Sequence, residues 1–201
     1  MKTESINISS TGSGKEKALE LTRKTAAYCD LDHKSELRLR LLSEELMGLM
    51  NSFTNELLGS FWLETSGDVI EVHLKTEIPM DLQTRKEILS VATSGKNSAA
   101  KSFMGKIREM IEILTLPDDP ETKAMTDQAM GIMSMGCQMG THACNYSWTM
   151  STYISSIENE TRQEAKDALD DLEKSIVANL ADDVTVHIVG SEVEIAIYKT
   201  F

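Results

Sequence analysis

Aromatic residues, prolines and positive charges are all scarce in this 201-residue sequence. Phe, Trp and Tyr together make up 5% of it, and it has three prolines. Its 20 Lys and Arg residues are outnumbered by 32 Asp and Glu residues, which gives a net charge of -12. Nucleic-acid phosphates and anionic membrane surfaces are bound by clustered positive charge. We therefore expect neither nucleic acid nor a membrane as a partner.

Long apolar runs and cysteines are also scarce. No stretch approaches the roughly 20 apolar residues that a membrane-spanning helix needs, and no N-terminal run is typical of a signal peptide. The three cysteines are an odd number, which does not suit a disulfide framework. We predict a cytoplasmic protein with reduced thiols.

The first 60 residues predict a short strand followed by two helices. Residues 5–9 alternate like a strand. A helix is expected from Glu16 to Cys29, with Ser13 and Glu16 forming a capping box. A longer helix is expected over 35–58, because its apolar residues recur at steps of three and four, and Gly59 is its predicted stop.

Two hairpins are predicted, one in each half of the chain. The first joins F-W-L-E to V-I-E-V-H-L-K through T-S-G-D. In its second strand Ile70, Val72 and Leu74 share one face, and polar residues share the other. The second hairpin joins D-V-T-V-H-I-V to E-V-E-I-A-I-Y through Gly190 and Ser191, which suit a type II′ turn.

Helices are predicted between the two hairpins, over residues 81–92, 98–115, 121–157 and 161–180. The third of these is rich in Met and is interrupted by glycines. Strands and helices thus come in blocks, which favours an α+β fold. We predict a two-layer sandwich with a mixed or antiparallel sheet and helices on one face. One domain would span 1–201, with its core at 4–78 and 161–201 and a helical insertion at 79–160.

This order of elements resembles the histidine-kinase-like ATPase superfamily, and within it the anti-sigma-factor serine kinases. The first matching segment is residues 4–78, which include L-R-L-R-L-L-S-E-E-L-M-G-L-M-N. The second is residues 165–201, which include S-I-V-A-N-L-A-D-D-V-T-V-H. Together they cover a little over half of the chain, and residues 79–160 match nothing in the family.

The resemblance implies a long helix carrying a Glu and, four residues later, an Asn that binds magnesium. Placing Glu44 at the Glu position puts Gly48 at the Asn position, and placing Asn51 at the Asn position puts Met47 at the Glu position. Glu44 is the candidate general base and Asn51 a candidate nucleotide-binding residue. The alternative for Glu44 is a solvated helix face.

Two further motifs of the resembled family are altered here. Its adenine-reading Asp-x-Gly is replaced by T-E-I-P-M-D, where Glu77 or Asp81 could supply a carboxylate but the glycine is missing. Its final helix is approached through glycines. Asp171 and Glu173 stand at the matching places, and they would repel a triphosphate.

The segment T-S-G-K-N, at 93–97, is the better phosphate candidate, because a helix is predicted directly after it and a helix start attracts anions. A polar turn with Asn97 as N-cap is the alternative. The candidate nucleotide-binding residues here are Ser94, Gly95, Lys96, Asn97 and Lys101.

Three other motifs have ordinary structural interpretations. The loop S-S-T-G-S-G-K-E, at 9–16, lacks the first Gly and the final Ser or Thr of a Walker loop, so a connector is favoured over a phosphate site. Cys137, His142 and Cys144 lack the paired spacing of a zinc site, so packing is favoured. The Met-rich segment could be a lid, a partner surface or a core helix.

The resemblance implies a regulatory protein that binds ATP and magnesium and acts on a partner protein, a regulator or sigma-type factor, as an anti-sigma-type kinase. Whether the protein is an enzyme is left open, because several motif residues are missing. The alternative is a catalytically inactive protein-interaction module that keeps the fold. The sequence also leaves open whether the chain forms a homodimer.

Overall fold

The computed structural model of the chain describes residues 1–51, 53, 56–78, 102–115, 133, 135, 137–139 and 145–201. The described elements, in chain order, are β1 Ile6–Ser9, α1 Lys15–Tyr28, α2 His33–Asn51, β2 Leu58–Ser66, β3 Val69–Glu77, α3 Phe103–Leu114, β4 Cys137–Met139, β5 Asn145–Thr149, α4 Met150–Glu158, α5 Gln163–Glu173, α6 Ile176–Leu180, β6 Asp183–Val189 and β7 Glu192–Thr200.

The strands follow the order β1-β2-β3-β7-β6-β5-β4. The β1–β2, β2–β3, β4–β5 and β5–β6 pairs are antiparallel. Ile6 lies opposite Phe61, and Trp62 lies opposite His73. The predicted α+β sandwich is thereby confirmed, with an antiparallel sheet. The two predicted hairpins are present, and β7 of the second neighbours β3 of the first.

Two compact units make up the chain. The first comprises Met1–Glu77, Ile176–Val184 and Glu194–Phe201. Within it α1 packs on β1 and β2, and α2 packs on β3. The predicted apolar stripe of α2 is buried together with the apolar residues of the first hairpin. These buried residues are Leu39, Leu42, Leu46, Leu49, Met50, Phe61, Leu63, Val72 and Leu74.

A polar contact lies between α1 and α2 inside this unit. The Thr22 hydroxyl donates to the Ser43 hydroxyl at 3.2 Å and to the Ala18 carbonyl at 2.9 Å. Ser43 in turn donates to the Leu39 carbonyl at 3.0 Å. Because each buried hydroxyl has a partner, the two helices pack closely here without an unpaired polar group.

The second unit comprises Ile78–Ser175 and Thr185–Val193. The Ser102 hydroxyl accepts a hydrogen bond from the Gly105 amide and caps α3. Trp148 packs between Phe103 and Tyr153, with ring centroids 6.2 and 5.6 Å apart. All three rings are buried, so they form an aromatic part of this unit's core. The prediction of one domain with an insertion at 79–160 stays a prediction.

The predicted boundaries of the long helix were wrong at both ends. It begins at His33, where the Asp32 carboxylate accepts from the Ser35 amide at 2.7 Å. It ends at Asn51, before the predicted stop at Gly59. Gly59 instead lies in β2 opposite Thr76. A Cβ added to Gly59 would stand 2.8 Å from the Lys75 carbonyl oxygen, so this strand position requires glycine.

The capping box predicted for the first helix was also wrong. Gly14 is the N-cap of α1, and no side chain caps this helix. The Gly14 backbone has a φ of 79°, and an added Cβ would meet the Asn7 carbonyl oxygen at 2.1 Å. A glycine is required here because of both the left-handed conformation and the close approach.

Strand structure replaces part of the helix predicted over 121–157. β4 and β5 pair with one another, and Trp148 of β5 lies opposite Val186 of β6. The N-Y-S-W-T sequence is rich in residues that suit strands, and pairing with β6 decides its conformation. The helix predicted over 161–180 is divided into α5 and α6, which are separated by Lys174 and Ser175.

Candidate functional site

The two described candidate residues, Glu44 and Asn51, lie on the same side of α2. They are seven residues apart, which is close to two helical turns or about 10 Å along the axis. Glu44 accepts a hydrogen bond from the Arg40 guanidinium at 3.1 Å, and Asn51 is exposed. The resembled family has these residue types one turn apart, so the spacing in this chain is roughly twice as long.

Gly48 occupies the position between them. A Cβ built on Gly48 would meet no atom of the described residues within 4 Å. Gly48 offers no side-chain ligand where the resemblance implies a magnesium-binding Asn. The exposed side of α2 therefore presents a carboxylate already paired with Arg40, then a bare backbone, and only then the Asn51 amide.

The other predicted nucleotide-binding residues lie outside the described residues: Ser94, Gly95, Lys96, Asn97 and Lys101. Their role stays a prediction. The helix expected to begin at 98 is described from Phe103, and its N-cap is Ser102 rather than Asn97.

The carboxylates expected at the final helix have a different setting. Asp171 lies in the last turn of α5, five residues before α6 begins at Ile176. Its carboxylate pairs with the Lys106 ammonium of α3 at 2.7 Å, and both side chains are about three-quarters buried. Asp171 thus has a local counter-charge and joins two helices of the second unit.

The loop at 9–16 connects β1 to α1 and forms hydrogen bonds within itself. The Ser9 hydroxyl accepts from the Ser13 amide at 3.2 Å and contacts the Thr11 hydroxyl at 2.8 Å. The Ser9 amide donates to the Ser13 carbonyl at 3.0 Å. These contacts agree with the connector interpretation of the loop.

Cys137 has the environment of a packed thiol. Burial raises its pKa to about 11, and its Sγ lies 3.9 Å from the Met110 sulfur. A metal-ligating cysteine is a thiolate, which this environment disfavours. His142 and Cys144 lie outside the described residues. In the part of the chain that the structure describes, no group of three or more His, Cys, Asp or Glu residues has a metal-binding arrangement.

A histidine on the first hairpin, His73, lies in a cluster of charged and aromatic side chains. His73 of β3 stacks on Trp62 of β2, with ring centroids 4.8 Å apart and an angle of 8° between the planes. His73 Nδ1 lies 3.2 Å from a Glu194 carboxylate oxygen, and Nε2 lies 3.2 Å from a Glu71 carboxylate oxygen. Ionised carboxylates only accept, so both contacts are hydrogen bonds when both ring nitrogens carry a proton.

The N-terminal segment completes this cluster. Lys2 donates to Glu64 at 3.0 Å, and its ammonium lies 4.4 Å from the centre of the Trp62 ring. Glu64 also accepts from the Trp62 indole at 2.8 Å. The hydrogen bond from Trp62, followed by that from Lys2, holds the pKa of Glu64 below its ordinary value. The cluster therefore fixes the first residues of the chain to β2.

The surroundings of His73 favour a structural role over binding or catalysis. Its side chain is 9% exposed, Trp62 covers one ring face, and each ring nitrogen faces a carboxylate. The sequence placed His73 and Glu71 on one polar strand face, but it gave no sign of Glu194, which is 121 residues away. We interpret the cluster as a structural anchor.

No helix among the described residues is long and apolar enough to cross a bilayer. Comparisons with protein-family models, with curated proteins and with solved structures found no match to this chain. The resemblance to histidine-kinase-like ATPases consequently stays a prediction.

Proposed function

We propose that the chain is a divergent regulatory protein of the histidine-kinase-like ATPase type, which acts on a partner protein by binding it and not by phosphoryl transfer. The neighbouring positions of β3 and β7 support the first half of this proposal, because the resemblance implies that the two hairpins share a sheet. The partner would be a regulator or a sigma-type factor.

The second half of the proposal, that the chain does not transfer a phosphoryl group, rests on Gly48. Phosphoryl transfer depends on a metal ion that neutralises phosphate charge. The α2 position that would hold this ion has no side chain, and the neighbouring Glu44 is paired with Arg40. With these two changes α2 supplies neither the metal ligand nor an unpaired base.

ATP and magnesium binding, with kinase activity on the partner, is the second candidate function. The observation that favours it is that Glu44 and Asn51 lie on the same side of α2. In this case Lys96 and its neighbours would bind the phosphates, and Asn51 would contact the metal or the nucleotide.

Thermal unfolding with and without Mg-ATP separates the two functions. A ligand at one hundred times its dissociation constant stabilises a protein by about 2.7 kcal/mol, so a bound nucleotide raises the melting temperature clearly. We expect no rise at millimolar ATP, with magnesium or with a chelator, and no ATP hydrolysis.

A magnesium-dependent rise that Glu44→Gln and Lys96→Ala abolish would instead establish the second candidate. Lys17→Ala is the matched control, because Lys17 is an exposed lysine on α1 that is not one of the candidate residues. Hydrolysis lost in Glu44→Gln but kept in Lys17→Ala would refute a purely binding role.

A further inference from the structure

We propose that residues 1–5 form a detachable strap over the edge of β2, and that an extended, lysine-bearing segment of a partner protein takes its place. This inference rests on the proposed partner-binding function and names the chemistry of the partner. Three features of the first unit carry it: the hydrogen bonds between the strap and β2, the bulge that separates the strap from β1, and the acidic surface that receives Lys2.

The strap is held to β2 by strand hydrogen bonds. The Thr3 amide donates to the Leu63 carbonyl at 2.9 Å, and the Leu63 amide donates to the Thr3 hydroxyl at 3.0 Å. The Thr65 amide donates to the Met1 carbonyl at 2.7 Å. Two of these three bonds use only the backbone of the strap. An extended segment of another protein can therefore form them in the same way, by adding a strand to the edge of the sheet.

A bulge separates the strap from β1. Lys2 lies opposite Glu64, and Ile6 lies opposite Phe61. The chain thus advances four residues on the strap side and three on the β2 side, which is the extra residue of a β-bulge. Because the ladder is interrupted there, the strap can leave β2 while β1 stays paired. Thr3 is half-buried and the rest of the strap is exposed, so few of its side chains lose burial on departure.

The surface that receives Lys2 favours a positive charge. The Lys2 ammonium lies 4.4 Å from the centre of the Trp62 ring and donates to Glu64 at 3.0 Å. An aromatic face attracts a cation. Three carboxylates also lie within 4.0 Å of the His73 ring nitrogens: those of Glu64, Glu71 and Glu194. A lysine in the incoming segment complements this negative charge, whereas an acidic residue would be repelled.

The strap holds this surface weakly. The Lys2 side chain is 58% exposed, and exposed ion pairs contribute little because water and salt screen them. The strap keeps its place through its covalent attachment, which gives a tethered segment an effective concentration in the millimolar range. A partner segment therefore displaces it when another contact has already brought the partner to this chain.

Amide hydrogen exchange tests whether the strap detaches. Hydrogen-bonding direction alternates along an antiparallel strand, so the Leu63 and Thr65 amides face the strap, whereas the Trp62 and Glu64 amides face β3. In the wild-type chain we expect the first pair of amides to exchange at least tenfold faster than the second pair.

The full-length variant Lys2→Glu/Thr3→Pro releases the strap, because proline lacks both the amide and the hydroxyl that bind Leu63. The amides that face the strap should then exchange at least tenfold faster than in the wild type, and those that face β3 should be unchanged. Lys2→Gln is a milder second variant and should accelerate the same amides by a smaller factor. Lys34→Glu is the matched control, because it changes the charge of an exposed lysine on α2, outside the strap, and should alter neither pair.

A peptide titration tests the chemistry of the partner. The probe is a peptide with the strap's own sequence, M-K-T-E-S, blocked at both ends, and the measurement is the amide chemical shifts of the Lys2→Glu/Thr3→Pro variant. We expect shifts at Leu63 and Thr65, with a dissociation constant in the millimolar range. The same peptide with glutamate in place of its lysine should bind at least tenfold more weakly. The wild-type chain should also need at least tenfold more peptide, because its strap occupies the edge.

Three results would overturn the proposal. The amides that face the strap could exchange as slowly as those that face β3 in both strap variants, the peptide could leave the shifts of Leu63 and Thr65 unchanged, or the glutamate peptide could bind as well as the lysine peptide. None of these experiments contains nucleotide, so their failure is distinguishable from a failure of the proposed function in the Mg-ATP experiments.

Discussion

Replacing Gly48 with alanine is expected to stabilise the protein. Gly48 lies inside α2, three residues before the helix ends at Asn51, and glycine within a helix costs about 0.5–1 kcal/mol relative to alanine. In the part of the chain that the structure describes, the new methyl group would touch nothing within 4 Å, so neither a clash nor a packing contact with these residues alters this value.

The gain of about 0.5–1 kcal/mol corresponds to a rise of roughly 1–4 °C in melting temperature for a chain of this size. Urea denaturation and thermal unfolding are the assays.

Two other glycines are contrasting controls for this substitution. Gly59→Ala should destabilise the protein, since its Cβ would stand 2.8 Å from the Lys75 carbonyl oxygen. Gly14→Ala should destabilise it more, because of a φ of 79° and a Cβ only 2.1 Å from the Asn7 carbonyl oxygen. A destabilising Gly48→Ala would mean that the space beside Gly48 is occupied within the chain, which would refute the reasoning.

Three further predictions concern titratable and polar groups. Burial raises the pKa of Glu112 above its ordinary value, although Arg108 lies 3.9 Å away. The stability that this group contributes therefore falls as pH rises from the pKa of the unfolded state through the raised pKa of the folded state. Glu112→Gln should flatten that decline in stability, as measured by urea denaturation at pH 4–8. With a pKa of about 11, Cys137 is about 0.1% thiolate at pH 8, so peptide mapping should find it alkylated far more slowly than a peptide thiol. His73→Ala removes the contacts with Glu71 and Glu194 and the Trp62 stack, and it should lower the free energy of unfolding by about 1–3 kcal/mol.

Local patterns in the sequence were sufficient to predict the elements whose apolar residues recur at a regular spacing. The alternation in 69–75 placed Ile70, Val72 and Leu74 on one face, and all three are buried. The final hairpin was predicted for the same reason, and Gly190 has the positive φ that its turn requires. The stripe of α2 was predicted as far as Met50.

Long-range contacts explain what sequence patterns missed. β4 and β5 exist because β6 is present to pair with them, and nothing in the Met-rich segment signals that partner. The glycine requirement at Gly14 arises from the Asn7 carbonyl on a neighbouring element. Likewise, the partner of His73 at Glu194 is brought close only by the pairing of β3 with β7.

The site prediction had a similar limit. Sequence spacing alone placed Glu44, Gly48 and Asn51 on one side of a helix, because helical geometry is local. The ion pair of Glu44 with Arg40 could also be read from their four-residue spacing. The exposure of Leu37 and Leu41 could not be predicted from the sequence, because it depends on which face of α2 the sheet covers.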